Sequence, residues 1–166
     1  HILGNNYNRF LPNPMLFHAA EHLLLPLRGI PSVLTVHDLI FQIYPQHHKR
    51  LNHWYLTTAM PLFIRRTDHI IAVSETTKRD LIRLYRTPEH KISVVYEAAA
   101  PHFTPPTPDQ VAAVRSAYNL PERYIVTVGT IEPRKNLPRL VEALARLRRD
   151  QPDLRLVVVG AKGWLY

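Results

Sequence analysis

Short apolar runs rich in β-branched residues recur along the chain at residues 33–36, 70–73, 92–96, 124–128 and 154–159, with helical patterns between several of them. Runs of this length without polar alternation are what strands buried on both faces of a parallel sheet look like. Residues 75–86 (ETTKRDLIRLYR) follow one run with Ser74 as a natural N-cap, and Leu81, Ile82 and Tyr85 share a helical face. A second unit reads strand at 124–129, helix at 137–149 and strand at 154–160, with Leu137, Leu140, Val141, Leu144 and Leu147 as the helix stripe. Arg146, Arg148 and Arg149 close that helix where its dipole favours cations. Strand, helix, strand repeated in this way specifies α/β structure with parallel sheets.

Between the two units, residues 98–121 carry Pro101, Pro105, Pro106, Pro108 and Pro121. That proline density marks a boundary. Inside it, Thr107, Pro108 and Gln110 meet the N-cap, first-turn proline and capping-box preferences of a short helix from Asp109 to about Tyr118. The expected organisation is the later part of one α/β domain at 1–103, a connector with its own helix at 104–121, and the opening βαβ of a second domain at 122–166. The chain begins at His1 without an initiator Met and stops at Tyr166 a few residues past a strand, so it reads as an excerpt of a longer protein.

Composition narrows the function. With 46% apolar and 20% charged residues in 166, the chain buries a core and is not a disordered tail. The absence of Cys excludes a disulfide framework, a thiolate zinc site and a cysteine nucleophile. No apolar run approaches the roughly 20 residues that span a bilayer, and no signal-peptide order opens the chain, so the expected location is cytoplasmic or peripheral at the inner membrane face. The formal charge of +8 is spread evenly over the two parts instead of being gathered on a nucleic-acid-binding module. Smaller phosphorylated ligands or an anionic membrane suit that distribution better.

Residues 128–136 (VGTIEPRKN) run from a strand through Gly129 and Thr130 to the adjacent cations Arg134 and Lys135, then to a helix with Asn136 at its cap position. Anions bind where strand-end amides and a helix N-terminus converge, and flanking cations add charge-assisted bonds, so this is a candidate diphosphate cradle. It is neither a Walker loop nor a Gly-x-Gly-x-x-Gly fingerprint. Residues 35–39 (TVHDL) place His37 and Asp38 at the carboxyl end of another strand, where ligands gather in open α/β sheets. There His37 can donate a hydrogen bond or proton to a sugar hydroxyl, with Asp38 orienting it.

These blocks, together with residues 70–81 (IIAVSETTKRDL), 91–96 (KISVVY), 128–137 (VGTIEPRKNL) and 157–164 (VVVGAKGW), resemble in this order the family 4 retaining glycosyltransferases of the GT-B fold, over about residues 33 to 166. The Glu-Pro-Arg-Lys-Asn stretch and the Gly-Trp ending look most like the bacterial group that transfers mannose or related sugars in surface-polysaccharide assembly. The resemblance implies two Rossmann-like domains facing a cleft, acceptor bound mainly by the first and a GDP- or UDP-linked sugar by the second. On the matching positions Lys135 contacts the donor diphosphate, helped by Arg134, Gly129 and Thr130, and His37 touches the transferred sugar. It implies a glycan or lipid-linked acceptor and no cofactor or bound metal, in keeping with the missing Asp-x-Asp.

The chain departs from the family pattern in several places. Thr130 stands where many members have Arg, Glu97-Ala98 replaces the usual Asn-Gly, and the Glu-x7-Glu element belongs beyond residue 166. The N-terminal glycine loop is also missing, so the residues given are expected not to transfer sugar alone. Glu89 and Glu97 have the Glu-x7-Glu spacing by coincidence. The non-enzymatic alternative is a nucleotide- or phosphate-binding module. A third reading rests on His18, Glu21 and His22, which fit a His-x-x-Glu-His zinc hydrolase motif if both histidines share a helix face, although no third ligand follows nearby. Finally, residues 45–66 are basic and histidine-rich, then aromatic and apolar, then basic again. They read either as a packed helix kinked at Pro61 or as a surface for an anionic bilayer.

Overall fold

A computed structural model describes residues 14–163, so Trp164 of the closing motif lies outside the described residues. The chain divides into two compact units, His1–Ala98 and Ala99–Tyr166.

In the first unit β1 (Phe17–Ala19), β2 (Ser32–Val36), β3 (His69–Ala72) and β4 (Ile92–Val94) form one all-parallel sheet in the order β1-β2-β3-β4. Helices α1 (Ile40–Ile43) and α2 (Arg50–Arg66) connect β2 to β3, and α3 (Glu75–Tyr85) connects β3 to β4. The core joins Leu34, Val36, Ile70, Ala72 and Ile92 of the sheet to Phe41, Leu56, Met60, Phe63, Ile64 and Leu81 of the helices. Each fully buried side chain of this size contributes about 1.5–3 kcal/mol relative to exposure. Buried and half-buried residues alternate along β2 and β3, so among the described residues one face of the sheet is packed more deeply than the other, where the apolar runs read as burial on both. The opposite face is stitched by polar bonds, His18 Nε2 to Thr35 Oγ1 at 2.8 Å and His69 Nε2 to Ser93 Oγ at 2.9 Å.

Helix α2 runs unbroken through Pro61 and packs Leu56, Met60, Phe63 and Ile64 inward. The Thr57 hydroxyl donates to the His53 carbonyl one turn back, beside the ladder position that proline vacates. Lys91 Nζ caps the far end of α2 on the Ile64 and Arg65 carbonyls at 2.8 and 3.1 Å. Helix α3 starts where expected, the Ser74 hydroxyl accepting from the Thr77 amide. Its inward face is Thr77 and Leu81 with Leu84 and Tyr85 beside them, while Ile82 is exposed and leaves the expected stripe.

Burial pushes the Tyr85 phenol from its ordinary 10.0 up to about 12. The folded state therefore holds this proton more tightly than the unfolded chain, and the stability gained is complete below pH about 10 and lost as pH rises toward 12. In an ultraviolet difference titration one tyrosine should ionise later than the rest, and Tyr85→Phe should remove that late phase. A late phase that survives the substitution contradicts the assignment.

In the second unit β5 (Tyr124–Val128) pairs in parallel with β6 (Arg155–Val159), flanked by α4 (Pro108–Ala117) and α5 (Leu137–Leu147). Helix α4 carries the full capping box between Thr107 and Gln110. Two strands cover only part of the α5 stripe: Leu137, Leu140 and Leu144 are half-buried, whereas Val141 and Leu147 are exposed.

Candidate functional site

Each unit places candidate residues at the carboxyl ends of its strands. In the first, His37 follows β2, its backbone carbonyl held by the Thr77 hydroxyl at 3.1 Å. Its ring lies between two acceptors: Nε2 is 3.0 Å from the Ala20 carbonyl just past β1, and Nδ1 is 3.0 Å from Glu97 Oε1 beyond β4. A carbonyl only accepts, so Nε2 donates there, and Nδ1 can donate to Glu97 only when the ring holds both protons. The carboxylate beside His37 is thus Glu97. Asp38 Oδ1 instead accepts from the Ile40 amide at 3.0 Å and opens α1, which takes it from the orienting role expected for it. Glu89 is engaged elsewhere, on Lys78 at 2.8 Å.

The zinc reading of residues 18–22 loses its premise. Phe17–Ala19 is a strand, so the i, i+4 spacing does not put His18 and His22 on one helix face. His18 bonds Thr35, His22 contacts Glu21 at 3.6 Å, and no metal-holding group of three side chains occurs among the described residues.

In the second unit the chain leaves β5 at Gly129 (φ +142°) and passes through a 3-10 turn at Pro133–Lys135 before α5 begins. The amides of Gly129 and Ile131 donate to the Val159 and Ala161 carbonyls at 2.9 and 3.0 Å. The intervening Thr130 amide has no internal acceptor among the described residues. The Lys135 side chain folds back over the turn, with Cε 3.7 Å from where a side chain on Gly129 would begin. Glycine is required here by the backbone, since φ +142° is a conformation that side chains rarely adopt. Gly160 supports the turn from beside β6: a Cβ there would lie 2.0 Å from the Gly129 carbonyl oxygen.

Two features of this corner differ from the sequence reading. Arg134 is not an independent second cation, because its guanidinium is ion-paired with Glu132, whose side chain is 3% exposed. Asn136 occupies the N-cap position of α5 in the left-handed region (φ +51°) and makes no side-chain cap bond, so it leaves the first amides of the helix uncapped. Residues 129–137 therefore carry a lysine with no ion pair among the described residues, an unclaimed amide and a helix start without a side-chain cap, groups suited to anionic oxygens.

The sequence profile described as Glycosyltransferase Family 4 matches residues 10–102, more than half of the chain. The chain belongs to glycosyltransferase family 4. A second profile, Glycosyl transferases group 1, matches residues 112–166 of this family 4 chain. The O-antigen chain mannosyltransferase B of Escherichia coli is 28% identical over 142 residues, covering 84% of this chain and 37% of that protein. A GDP-mannose-dependent alpha-(1-6)-phosphatidylinositol monomannoside mannosyltransferase of Mycolicibacterium smegmatis is 39% identical over 61 residues, covering 36% of this chain and 16% of that protein. The matched residues thus span little more than a third of the first relative and about a sixth of the second.

Among solved structures, Anabaena Alr3699/HepE in complex with UDP and glucose superposes with a TM-score of 0.63 at 21% identity, covering 81% of this chain and 34% of that one. The same Anabaena protein with UDP-glucose gives 0.62 at 22% identity, with 82% and 35% covered. The fold is that of a GT-B glycosyltransferase, of which this family 4 chain holds part. No helix among the described residues is long and apolar enough to cross a membrane.

Proposed function

We propose that the protein containing this chain transfers a hexose, mannose or a close relative, from a GDP- or UDP-linked donor to a glycan or lipid-linked acceptor in surface-polysaccharide assembly, with retention at the anomeric carbon. The observation that carries this reading is the Lys135 side chain folded over the Gly129 turn. As the glycosidic bond breaks, negative charge grows on the departing nucleoside diphosphate. A fixed ammonium beside an unclaimed amide stabilises that charge more in the transition state than in the ground state. Arg134, held by Glu132, adds directional donors at the edge of the cradle and less net charge. In this scheme the side chains supply the stabilisation that a bound metal supplies in other transferases. The names of the relatives support the hexose class, since one is an O-antigen chain mannosyltransferase.

His37 is assigned to the transferred sugar. Both its ring nitrogens are engaged, so a sugar hydroxyl reaches it by replacing Glu97 or the Ala20 carbonyl. Turnover of the full-length protein with a panel of nucleotide sugars tests the reading, and transfer from at least one hexose donor is expected. Donor binding without transfer or hydrolysis would leave a phosphate-binding module instead. His37→Ala should lower turnover by about 100-fold or more, the usual worth of a positioned proton donor or acceptor. Its nucleoside diphosphate affinity should stay within about twofold, and equal loss of both makes His37 a structural residue.

We also assign the first half of α2 to an anionic membrane surface. Leu51 is 78% and Trp54 63% exposed beside Lys49 and Arg50, and no acidic residue occurs from Leu39 to Thr67. The second half of the helix is packed in the core, as the alternative reading of this segment required.

A further inference from the structure

At the opposite end of the first unit's sheet from His37, helices α2 and α3 both finish and the chain turns into β3 and β4. A pocket of about 440 Å3 opens there, lined by Ile64, Arg65, Tyr85, Arg86, Thr87 and Lys91 among others. Thr87 is 4% exposed, yet its hydroxyl has no hydrogen-bond partner, and neither has the buried phenol oxygen of Tyr85. Leaving such groups unmet costs stability that a ligand acceptor restores.

Its charged lining is of one sign. Arg65 and Arg86 meet no carboxylate among the described residues, Lys91 is committed to two helix carbonyls, and no acidic side chain lines the pocket. Arg86 also holds the left-handed position that ends α3, at φ +53° and ψ +34°, where glycine is the unstrained choice. Arg65 and the left-handed Arg86 thus line one pocket with Tyr85 and Thr87, whose hydroxyl oxygens are buried and unpartnered. A ligand that satisfies them needs several acceptor oxygens and negative charge, and a phosphate monoester supplies three oxygens and a charge of about −1.5 to −2.

We propose that this pocket binds the phosphate group of a small organic phosphate, as a site separate from the donor corner at Lys135. It does not depend on the glycosyl-transfer reading, because none of its residues belongs to that machinery.

The test is a titration of the full-length protein with glycerol 3-phosphate and with inorganic phosphate, followed by amide and methyl NMR shifts. Saturable shifts at Tyr85, Thr87 and Lys91 are expected with both probes. Thr87→Val keeps the side-chain volume and deletes the unmet hydroxyl, so it should weaken glycerol 3-phosphate binding about tenfold while leaving the unfolding midpoint unchanged or raised. Arg86→Gly should weaken binding similarly and raise the midpoint, since glycine takes the left-handed position without strain. Vesicles containing phosphatidylglycerol are added as a separate arm. Shifts of the same residues with these and not with phosphatidylcholine vesicles support the proposal and assign the phosphate to a lipid headgroup. Absence of saturable shifts with every phosphate source overturns it. So does a Thr87→Val protein that loses stability and keeps its affinity, because the hydroxyl then serves the fold.

Discussion

Replacing Lys135 with alanine in the full-length protein is expected to cut turnover about 100- to 1,000-fold, the loss seen when one donor to a developing oxyanion is removed. The lysine stem lies at van der Waals distance from the Gly129 turn, which also carries the unclaimed Thr130 amide and leads through Asn136 into α5. Its neighbour cannot replace it, because the Arg134 guanidinium is tied to a buried carboxylate. Arg134→Ala should accordingly cost less than Lys135→Ala, although it also strands Glu132 and so lowers stability. Steady-state kinetics at saturating donor measure the difference. Near-normal turnover of the Lys135→Ala protein removes the phosphate assignment.

The second large effect falls on a residue that carries no chemistry. A Cβ on Gly160 would sit 2.0 Å from the Gly129 carbonyl oxygen and 2.7 Å from its carbon. Both are backbone atoms of the other strand's end, so relief requires moving the turn that bears Thr130 and Lys135. Gly160 also lies at φ +157°, a region side chains rarely adopt. Overpacking alone costs about 1–3 kcal/mol, and backbone strain adds about 1–3 kcal/mol, so Gly160→Ala should destabilise the second unit by about 3 kcal/mol or more. It should also abolish nucleotide binding. Gly29→Ala is the control: Gly29 is left-handed at φ +67°, but a Cβ there meets nothing within 4 Å. That variant should lose only about 1–2 kcal/mol and keep its nucleotide affinity. Chemical denaturation and nucleotide titration of both variants decide the matter, and equal behaviour contradicts the back-to-back glycine account.

The parts of the fold legible from the sequence are those governed by local rules. The runs behind β2 to β6 carry enough β-branched residues to declare themselves, and Ser74 and the Thr107–Gln110 box mark helix starts through bonds spanning three residues. The three-residue β1 was hidden because Phe17–Ala19 is too short to show a period, and His18 within it and His22 just past it imitate a helical metal motif. The uneven burial of the first sheet's two faces was also invisible, since Val33, Thr35 and Ile71 are apolar or β-branched whether or not a helix covers them.

In the candidate site the backbone scaffold was legible and the side-chain partnerships were not. Gly129 after a strand and Lys135 before a helix follow from sequence order. The His37–Glu97 and Glu132–Arg134 pairs had no such signal: the first joins residues far apart in sequence, and the second places an acid inside a stretch that reads as basic. Glu97 did leave one trace, as the acid standing where the family usually has Asn-Gly. Likewise Asn136 has the side chain of a helix cap, yet its left-handed backbone aims that side chain elsewhere.

The most direct test is the structure of the full-length protein in complex with GDP or UDP. The account predicts diphosphate oxygens bonded to Lys135 Nζ and the Thr130 amide at the end of β5, with the first turn of α5 facing them. A diphosphate bound elsewhere, with Lys135 still lying over Gly129 and touching no phosphate oxygen, contradicts it.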